Sequence, residues 1–250
     1  MKKIIILVLT YDDGGDYSLM DETVRNTWGN IKNDNVKVYY YYSKLIDSEY
    51  IVDGDTIYCN GLESSSTIGE KTIKAFKHLI NEDFDYLLRT NSSSFIHLDN
   101  LIKYLNDSPK DNFYSGVVCP YHNDNLNIDF ISGSGYILSQ DLVRHIVNNE
   151  NKWDHSFPDD VSIGKLMFEN NVTPTPKEWI KIQHIPNKNE LVPIEIYSSY
   201  TSMVSKQVPY DNLIDEIGDK HQIRCKIESR FDIDSQIEIF KELNKLIYKI

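Results

Sequence analysis

The stretch DFDYLLRTNSSSFIHL, Asp83 to Leu98, begins as apolar chain and then abruptly stops being so. Phe84, Tyr86, Leu87 and Leu88 form a short apolar and aromatic run between acidic residues, the pattern of a buried strand. Asn91-Ser92-Ser93-Ser94 cannot continue a core strand, because short polar side chains compete with the backbone for hydrogen bonds and favour turns. Phe95 and Ile96 restore the apolar character, and Leu98, Leu101, Ile102 and Leu105 follow at helical spacing. In a chain that alternates strands and helices, a buried strand ending in a polar turn is predicted to open onto the ligand crevice of an open α/β sheet. The same residues also read as a serine-rich surface loop.

The rest of the chain supports one α/β domain over residues 1–250, large enough for a full core. Ile4 to Leu9 reads as a first buried strand. With Met1-Lys2-Lys3 it mimics the start of a signal peptide, but the run is too short to span a bilayer and no small-residue cleavage site follows. The next loop, Thr10-Tyr11-Asp12-Asp13-Gly14-Gly15, falls at the carboxyl edge of the sheet. Tyr11 there either stacks on a nucleotide base or packs as a loop aromatic. Asp12-Asp13 is the one adjacent acidic pair near this edge, followed by glycines that mark a solvated turn.

Ser18 to Asp21 and Thr67 to Glu70 read as capping boxes, opening helices that bury Val24 and Trp28, and Ile73, Phe76, Leu79 and Ile80. Val36 to Ser43 and Thr56 to Tyr58 read as strands, with Tyr39 to Tyr42 as sheet packing. Ser139 is expected to cap a helix bearing Leu142, Val143, Ile146 and Val147, and Ser235 a final helix bearing Ile237, Phe240, Leu243 and Leu246. A net charge of −12 argues against a broad nucleic-acid or anionic-membrane surface. Three widely spaced cysteines, Cys59, Cys119 and Cys225, form no zinc or disulfide pattern and point to a reducing compartment.

Four short segments carry the chemistry. They are Arg25-Asn26-Thr27-Trp28; Arg89-Thr90-Asn91-Ser92-Ser93-Ser94-Phe95; Ser132-Gly133-Ser134-Gly135-Tyr136; and Asp159-Asp160-Val161-Ser162-Ile163-Gly164. In this order they resemble the β-1,3-glycosyltransferases of family 31, the group of the β-1,3-galactosyltransferases and Fringe proteins. Glu63 and Lys71, eight positions apart, extend the resemblance. It implies a glycosyltransferase A-type fold, a Rossmann-like mixed sheet flanked by helices. It also implies inverting transfer of a sugar from a nucleotide donor, a UDP-sugar in the first instance, to a hydroxyl of a glycan. Asp160 takes the role of general base by this resemblance, with Asp159 supporting it. The two acids also read as helix N-terminal caps, and that position is expected to lower a carboxylate pKa. Thr10, Tyr11, Arg25, Lys71, Arg89, Asn91, Ser92 and Ser93 are the expected donor-binding residues. Ser132, Gly133, Ser134 and Gly135 are expected to wall the acceptor or sugar pocket, and their spacing is not that of a dinucleotide-binding loop.

One departure from the family matters. Where its members carry an acidic metal-binding triplet, this chain has Asn91-Ser92-Ser93. Magnesium and manganese favour anionic oxygens, so the expectation is metal-independent transfer with no cofactor and no metal ligand. His184 is the candidate ligand if an ion binds. Arg89, Arg25, Lys71 or a lysine from the Lys181–Lys188 segment is expected to stabilise the departing diphosphate. The expected protein has no membrane span, no nucleic-acid partner and a cytoplasmic location. The alternative is a degenerate, non-catalytic module that binds a nucleotide sugar or glycan. An oxidoreductase is disfavoured, because no dinucleotide fingerprint follows the first strand. Val192 to Pro209, rich in Tyr, Ser and Lys without clear period, is expected to form an acceptor-side flap, and the segment 172–232 otherwise has no assigned role beyond His184 and the Lys181–Lys188 lysines.

Overall fold

The computed structural model describes residues 1–12, 14–123, 126–185, 190–225 and 232–250. Strand β1 (Ile4–Leu9) has no polar face, so it must be covered on both sides. Ile4, Ile6 and Val8 pack with Met20 and Val24 of helix α1 (Asp16–Asn26) and with Trp28. Ile5 and Leu7 point into the opposite layer. Strand β2 (Val36–Lys44) lies parallel to β1. The hairpin of β3 (Tyr50–Asp53) and β4 (Thr56–Asn60) extends the sheet outward, β4 running parallel to β2. Helix α2 (Ile68–Leu79) then crosses the second face, where Ile73, Phe76 and Leu79 meet Ile5 and Leu7. It delivers β5 (Tyr86–Asn91) to the far side of β1.

The chain thus steps outward from β1 and returns to its other flank, with α1 and α2 on opposite faces. That reversal between β1 and β5 is a topological switch point, where such sheets open a crevice at the carboxyl ends of the strands. Leu9 and Asn91 pair in register, so the crevice lies at Thr10 and the Asn91 turn.

Beyond β5 the sheet becomes mixed. The remaining elements are β6 (Ser94–Ile96), α3 (Leu98–Asn106), β7 (Tyr114–His122), β8 (Asn127–Ser139), α4 (Gln140–Asn148), α5 (Asp159–Glu169), β9 (Thr175–Pro176), β10 (Trp179–Ile182), β11 (Leu191–Ser199), β12 (Ser202–Pro209), α6 (Leu213–Ile217), β13 (Gln222–Arg224) and α7 (Ile233–Tyr248). From β5 the hydrogen-bonded order runs β8, β7, β11, β10, β13, β6. Only Ser92 and Ser93 separate β5 from β6 in the chain, yet β6 ends this path. The strip therefore curls back until β13 overhangs the end of β5, and Cys225 N–H donates to the Ser93 carbonyl. Helices α3 and α7 cover the α1 side, while α4 and α5 cover the α2 side. The expected α/β architecture, a mixed sheet between helices, is present. No helix among the described residues is long and apolar enough to cross a membrane.

Several helix starts differ from expectation because the hydroxyls find other partners. Helix α1 begins at Asp16, and Ser18 Oγ accepts from Gly14 N–H. Thr67 Oγ1 donates to the Leu62 and Ser64 carbonyls and leaves its helix uncapped. Ser139 Oγ accepts from Phe113 N–H. At α7 the cap is Asp232, which accepts from Ser235 N–H.

Strand β5 carries one charge into the core. Arg89 is 2% exposed and lies level with Leu7 of β1, on the face covered by α2 and α5. Its Nε donates to Tyr41 Oη at 3.0 Å, its Nη1 to the Gly133 carbonyl, and its Nη2 lies 3.0 Å from Asp159 Oδ2. Asp159, also buried, opens α5, so the ion pair pins that helix to the middle of the sheet. Removing one member of such a pair strands the other charge in the core. Asp159→Ala is expected to lower the unfolding free energy by about 3–5 kcal/mol in urea denaturation. In a cycle with Arg89→Met, the double variant should lose less than the sum of the two single changes.

Candidate active site

The switch-point crevice is built from three ends of chain. Thr10 and Tyr11 follow β1, Asn91, Ser92 and Ser93 close β5, and the segment Ser132–Gly135 runs through β8 beside them. Thr90 Oγ1 donates to the Ser134 carbonyl at 3.0 Å, tying the end of β5 to that segment. Thr10 is buried and donates through Oγ1 to the Tyr41 carbonyl. Tyr11 is half-buried and meets Tyr17 edge to face.

Asp160 enters this crevice from the first turn of α5. Its Oδ2 accepts from Gly133 N–H at 2.6 Å and its Oδ1 from Val161 N–H at 3.0 Å. Residue 133 must be glycine for this approach, since a Cβ there would fall 2.8 Å from Asp160 Oδ2. The glycine thus admits the carboxylate to the strand. Burial pushes the Asp160 pKa up, and the neighbouring Asp159 charge pushes it further; the two N–H bonds and Arg89 oppose this without reversing it. The expected lowering at a helix N-terminus is therefore overturned: desolvation and a like charge outweigh the dipole. The carboxylate is a stronger base than an exposed aspartate.

The same segment also meets a polar cluster from β13. Gln222 Nε2 donates to the Ser134 carbonyl at 2.7 Å and to Ser94 Oγ at 3.2 Å. Gly135 makes room for it, because a Cβ there would meet Gln222 Oε1 at 2.3 Å. Arg224 Nη1 donates to Asn91 Oδ1 at 2.5 Å and to Ser94 Oγ at 2.9 Å. Ser93 Oγ also donates to Asn91 Oδ1, at 2.9 Å. Gln222 and Arg224 lie outside every family-like segment. Their signal was the alternation Gln222-Ile223-Arg224-Cys225, which puts both polar side chains on one face of a strand.

The structure brings Asn91, Ser92 and Ser93 beside Ser132, Gly133, Ser134 and Gly135, sets Asp160 on Gly133, and leaves Thr10 and Tyr11 at the end of the adjacent strand β1, with Tyr11 against Tyr17. It commits other expected residues elsewhere. Arg89 and Asp159 are spent on each other in the core, so Arg89 has no free edge for a diphosphate. Lys71 is buried, ion-paired to Glu63, and donates to the Thr10 carbonyl at 3.0 Å. Glu63 Oε2 accepts from Ser43 N–H at 2.6 Å. This pair secures the loop after β1 from behind and does not reach into the crevice as a free cation. Arg25 lies at the far end of α1, stacked over Tyr40 at 3.5 Å and bonded to Asp21 and Asp55. Lys181 is paired with Glu195 at 3.2 Å. Lys188 and Asp13 lie outside the described residues, and His184 is exposed.

The turn offers a divalent cation a poor donor set. Asn91, Ser92 and Ser93 supply neutral oxygens, and Asn91 Oδ1 already accepts from a guanidinium. A cation at that oxygen would face the Arg224 charge. Among the described residues no cluster of three or more His, Cys, Asp or Glu side chains could hold an ion.

No protein-family model matches the chain. Over 121 residues it is 26% identical to the UDP-GalNAc:beta-1,3-N-acetylgalactosaminyltransferase 1 of Mus musculus and 31% identical to that of Homo sapiens. Each match takes in 40% of this chain and 37% of the relative, so the chain spans little more than a third of the length of these curated relatives. Among solved structures, the apo-form glycosyltransferase GlyE of Streptococcus pneumoniae TIGR4 overlays 70% of this chain and 45% of its own, at 13% identity and a TM-score of 0.41.

Proposed function

We propose that this chain is a glycosyltransferase of the glycosyltransferase A type, moving a sugar from a nucleotide-sugar donor to a glycan hydroxyl with inversion and without a divalent metal. The observation that carries the reading is Asp160, a half-buried carboxylate of raised proton affinity at the mouth of the switch-point crevice. The activity for which these relatives are named supports the same chemistry, and the donor in that name makes a UDP-sugar the first to try.

In this reading Asp160 takes the proton of the acceptor hydroxyl. The acceptor oxygen attacks the anomeric carbon from the face opposite the nucleotide. A carbon–oxygen bond forms as the bond to the donor phosphate breaks, and the nucleoside diphosphate leaves with that electron pair. Gly133 N–H and Val161 N–H hold the carboxylate in place, and each of its oxygens keeps a lone pair for the incoming hydroxyl. In the same reading the hydroxyls of Ser132, Ser134 and Ser93 bind sugar or ribose hydroxyls, and Tyr11 stacks on the base.

Three outcomes are expected. Transfer from a panel of nucleotide sugars should proceed in excess chelator; activity lost with chelator and restored by manganese would refute metal independence. Asp160→Asn should lower kcat by about 100-fold or more while leaving donor Kd nearly unchanged. A chain that binds donor but transfers nothing even as wild type would be the non-catalytic module instead. In the wild type the acid limb of kcat/KM should lie above the ordinary aspartate value of about 3.9, since the base must be ionised and its pKa is raised.

The same raised pKa has a stability consequence of definite sign. The folded chain holds this proton more tightly than the unfolded chain, so Asp160 favours folding below the unfolded value. That contribution is lost as pH rises through the folded pKa. Asp160→Asn should therefore raise Tm at pH 7, with the gain shrinking as pH falls. A lower Tm at pH 7 would mark Asp160 as a structural cap.

A further inference from the structure

We propose that Arg224 is the binding group for a phosphoryl anion in this crevice, and, resting on the reading above, that it receives the diphosphate of the nucleotide donor. Every other candidate cation among the described residues is neutralised by a carboxylate. Lys71 has Glu63, Arg89 has Asp159, Arg25 has Asp21 and Asp55, and Lys181 has Glu195. Arg224 is just as deeply placed, at 8% exposed, and no carboxylate among the described residues is paired with it. Its hydrogen bonds go to the neutral oxygens of Asn91 and Ser94, and both engage Nη1. The remaining guanidinium nitrogens have no partner among the described residues.

A buried guanidinium without a counter-ion costs stability unless an anion arrives. Burial holds the Arg224 pKa down at about 10, and the like charge of Arg89 adds to this, so the side chain is still cationic at neutral pH. Its location selects the anion. Arg224 sits against Asn91 at the carboxyl end of β5, where open α/β sheets seat their ligands. The planar fork suits two phosphoryl oxygens at once. Asn91 Oδ1 and Ser94 Oγ fix its orientation from one edge, leaving the other edge for the ligand. Gln222, bonded to the same Ser94 Oγ, holds that hydroxyl in place. The residue therefore supplies at Asn91-Ser92-Ser93 the positive charge that a neutral turn cannot recruit as an ion.

The test is calorimetric titration of the full chain with UDP, with inorganic pyrophosphate and with uridine. Wild type should bind UDP and pyrophosphate. Arg224→Met should weaken both by about 10- to 100-fold, the range for charge-assisted hydrogen bonds, and leave uridine affinity unchanged. Arg224→Gln, which keeps a donor for Asn91 and Ser94, is the second variant and should behave alike, while Arg224→Lys should fall between. Without ligand the Met variant should melt no lower than wild type, because an uncompensated buried charge has been removed. Undiminished UDP and pyrophosphate affinity in the Met and Gln variants would overturn the proposal, as would a wild type that binds neither. A Tm well below wild type in both, with uridine binding also lost, would make Arg224 structural and overturn it too. Sugar transfer that survives Arg224→Met would sink this assignment and leave the glycosyltransferase reading standing. Arg224-dependent pyrophosphate binding in a chain that transfers no sugar would keep the anion site and sink that reading.

Discussion

A guanidinium in the middle of a parallel sheet needs its hydrogen bonds and its charge answered at once, and Arg89 has each answered by a different element. Tyr41 from β2, the Gly133 carbonyl from β8 and Asp159 from α5 converge on it, with the Tyr136 ring 5.5 Å away. Asp159 and Asp160 are adjacent on one helix turn, so fixing the first toward the core fixes where the second can go. Asp160 is left facing the Ser132–Gly135 segment, with no cation among the described residues paired to it. The candidate base is therefore positioned by a core ion pair whose guanidinium also holds the Gly133 carbonyl of the segment that the base faces.

This division of labour explains why two neighbouring carboxylates of like sequence context differ in chemistry. Asp159 faces a positive charge at 3.0 Å. Asp160 faces Asp159 and a half-buried crevice, and its proton affinity rises accordingly.

What was legible in the sequence follows the same logic. The aliphatic run Ile4–Leu9, the stripe of α2 and the polar break at Asn91 each express one local rule, period or turn chemistry, and each landed where it was read. The carboxyl-edge placement of Thr10 and Asn91 followed from order alone. The capping boxes failed because a hydroxyl has several backbone partners in reach, and tertiary contacts chose among them. Arg89, Lys71 and Arg25 were read as ligand groups because an isolated cation in a chain shows no partner. Their carboxylates are 70, 8 and 30 residues away for Asp159, Glu63 and Asp55, and only the fold brings the distant ones home. The short strand β13 lay beyond any family-like pattern, so Gln222 and Arg224 went unread.

The charges left over after this pairing are the ones on which the proposed chemistry rests. Folding can neutralise Lys71, Arg89 and Arg25 because their partners are within the chain. It leaves Asp160 against Gly133 of the Ser132–Gly135 segment and Arg224 against Asn91 and Ser94, neither with an oppositely charged side chain of its own among the described residues. Gly133 and Gly135, two residues apart, admit Asp160 and Gln222 to that strand at distances a Cβ would forbid. A sequence selected for stability alone would fill those positions with side chains and would not set a buried guanidinium with no carboxylate among the described residues behind a turn of neutral oxygens. The sugar-transfer step proposed above develops positive character at a hydroxyl proton and negative charge at a departing phosphate. A base and a cation that lack oppositely charged partners among the described residues suit that distribution of charge, and they do so with groups the protein itself supplies.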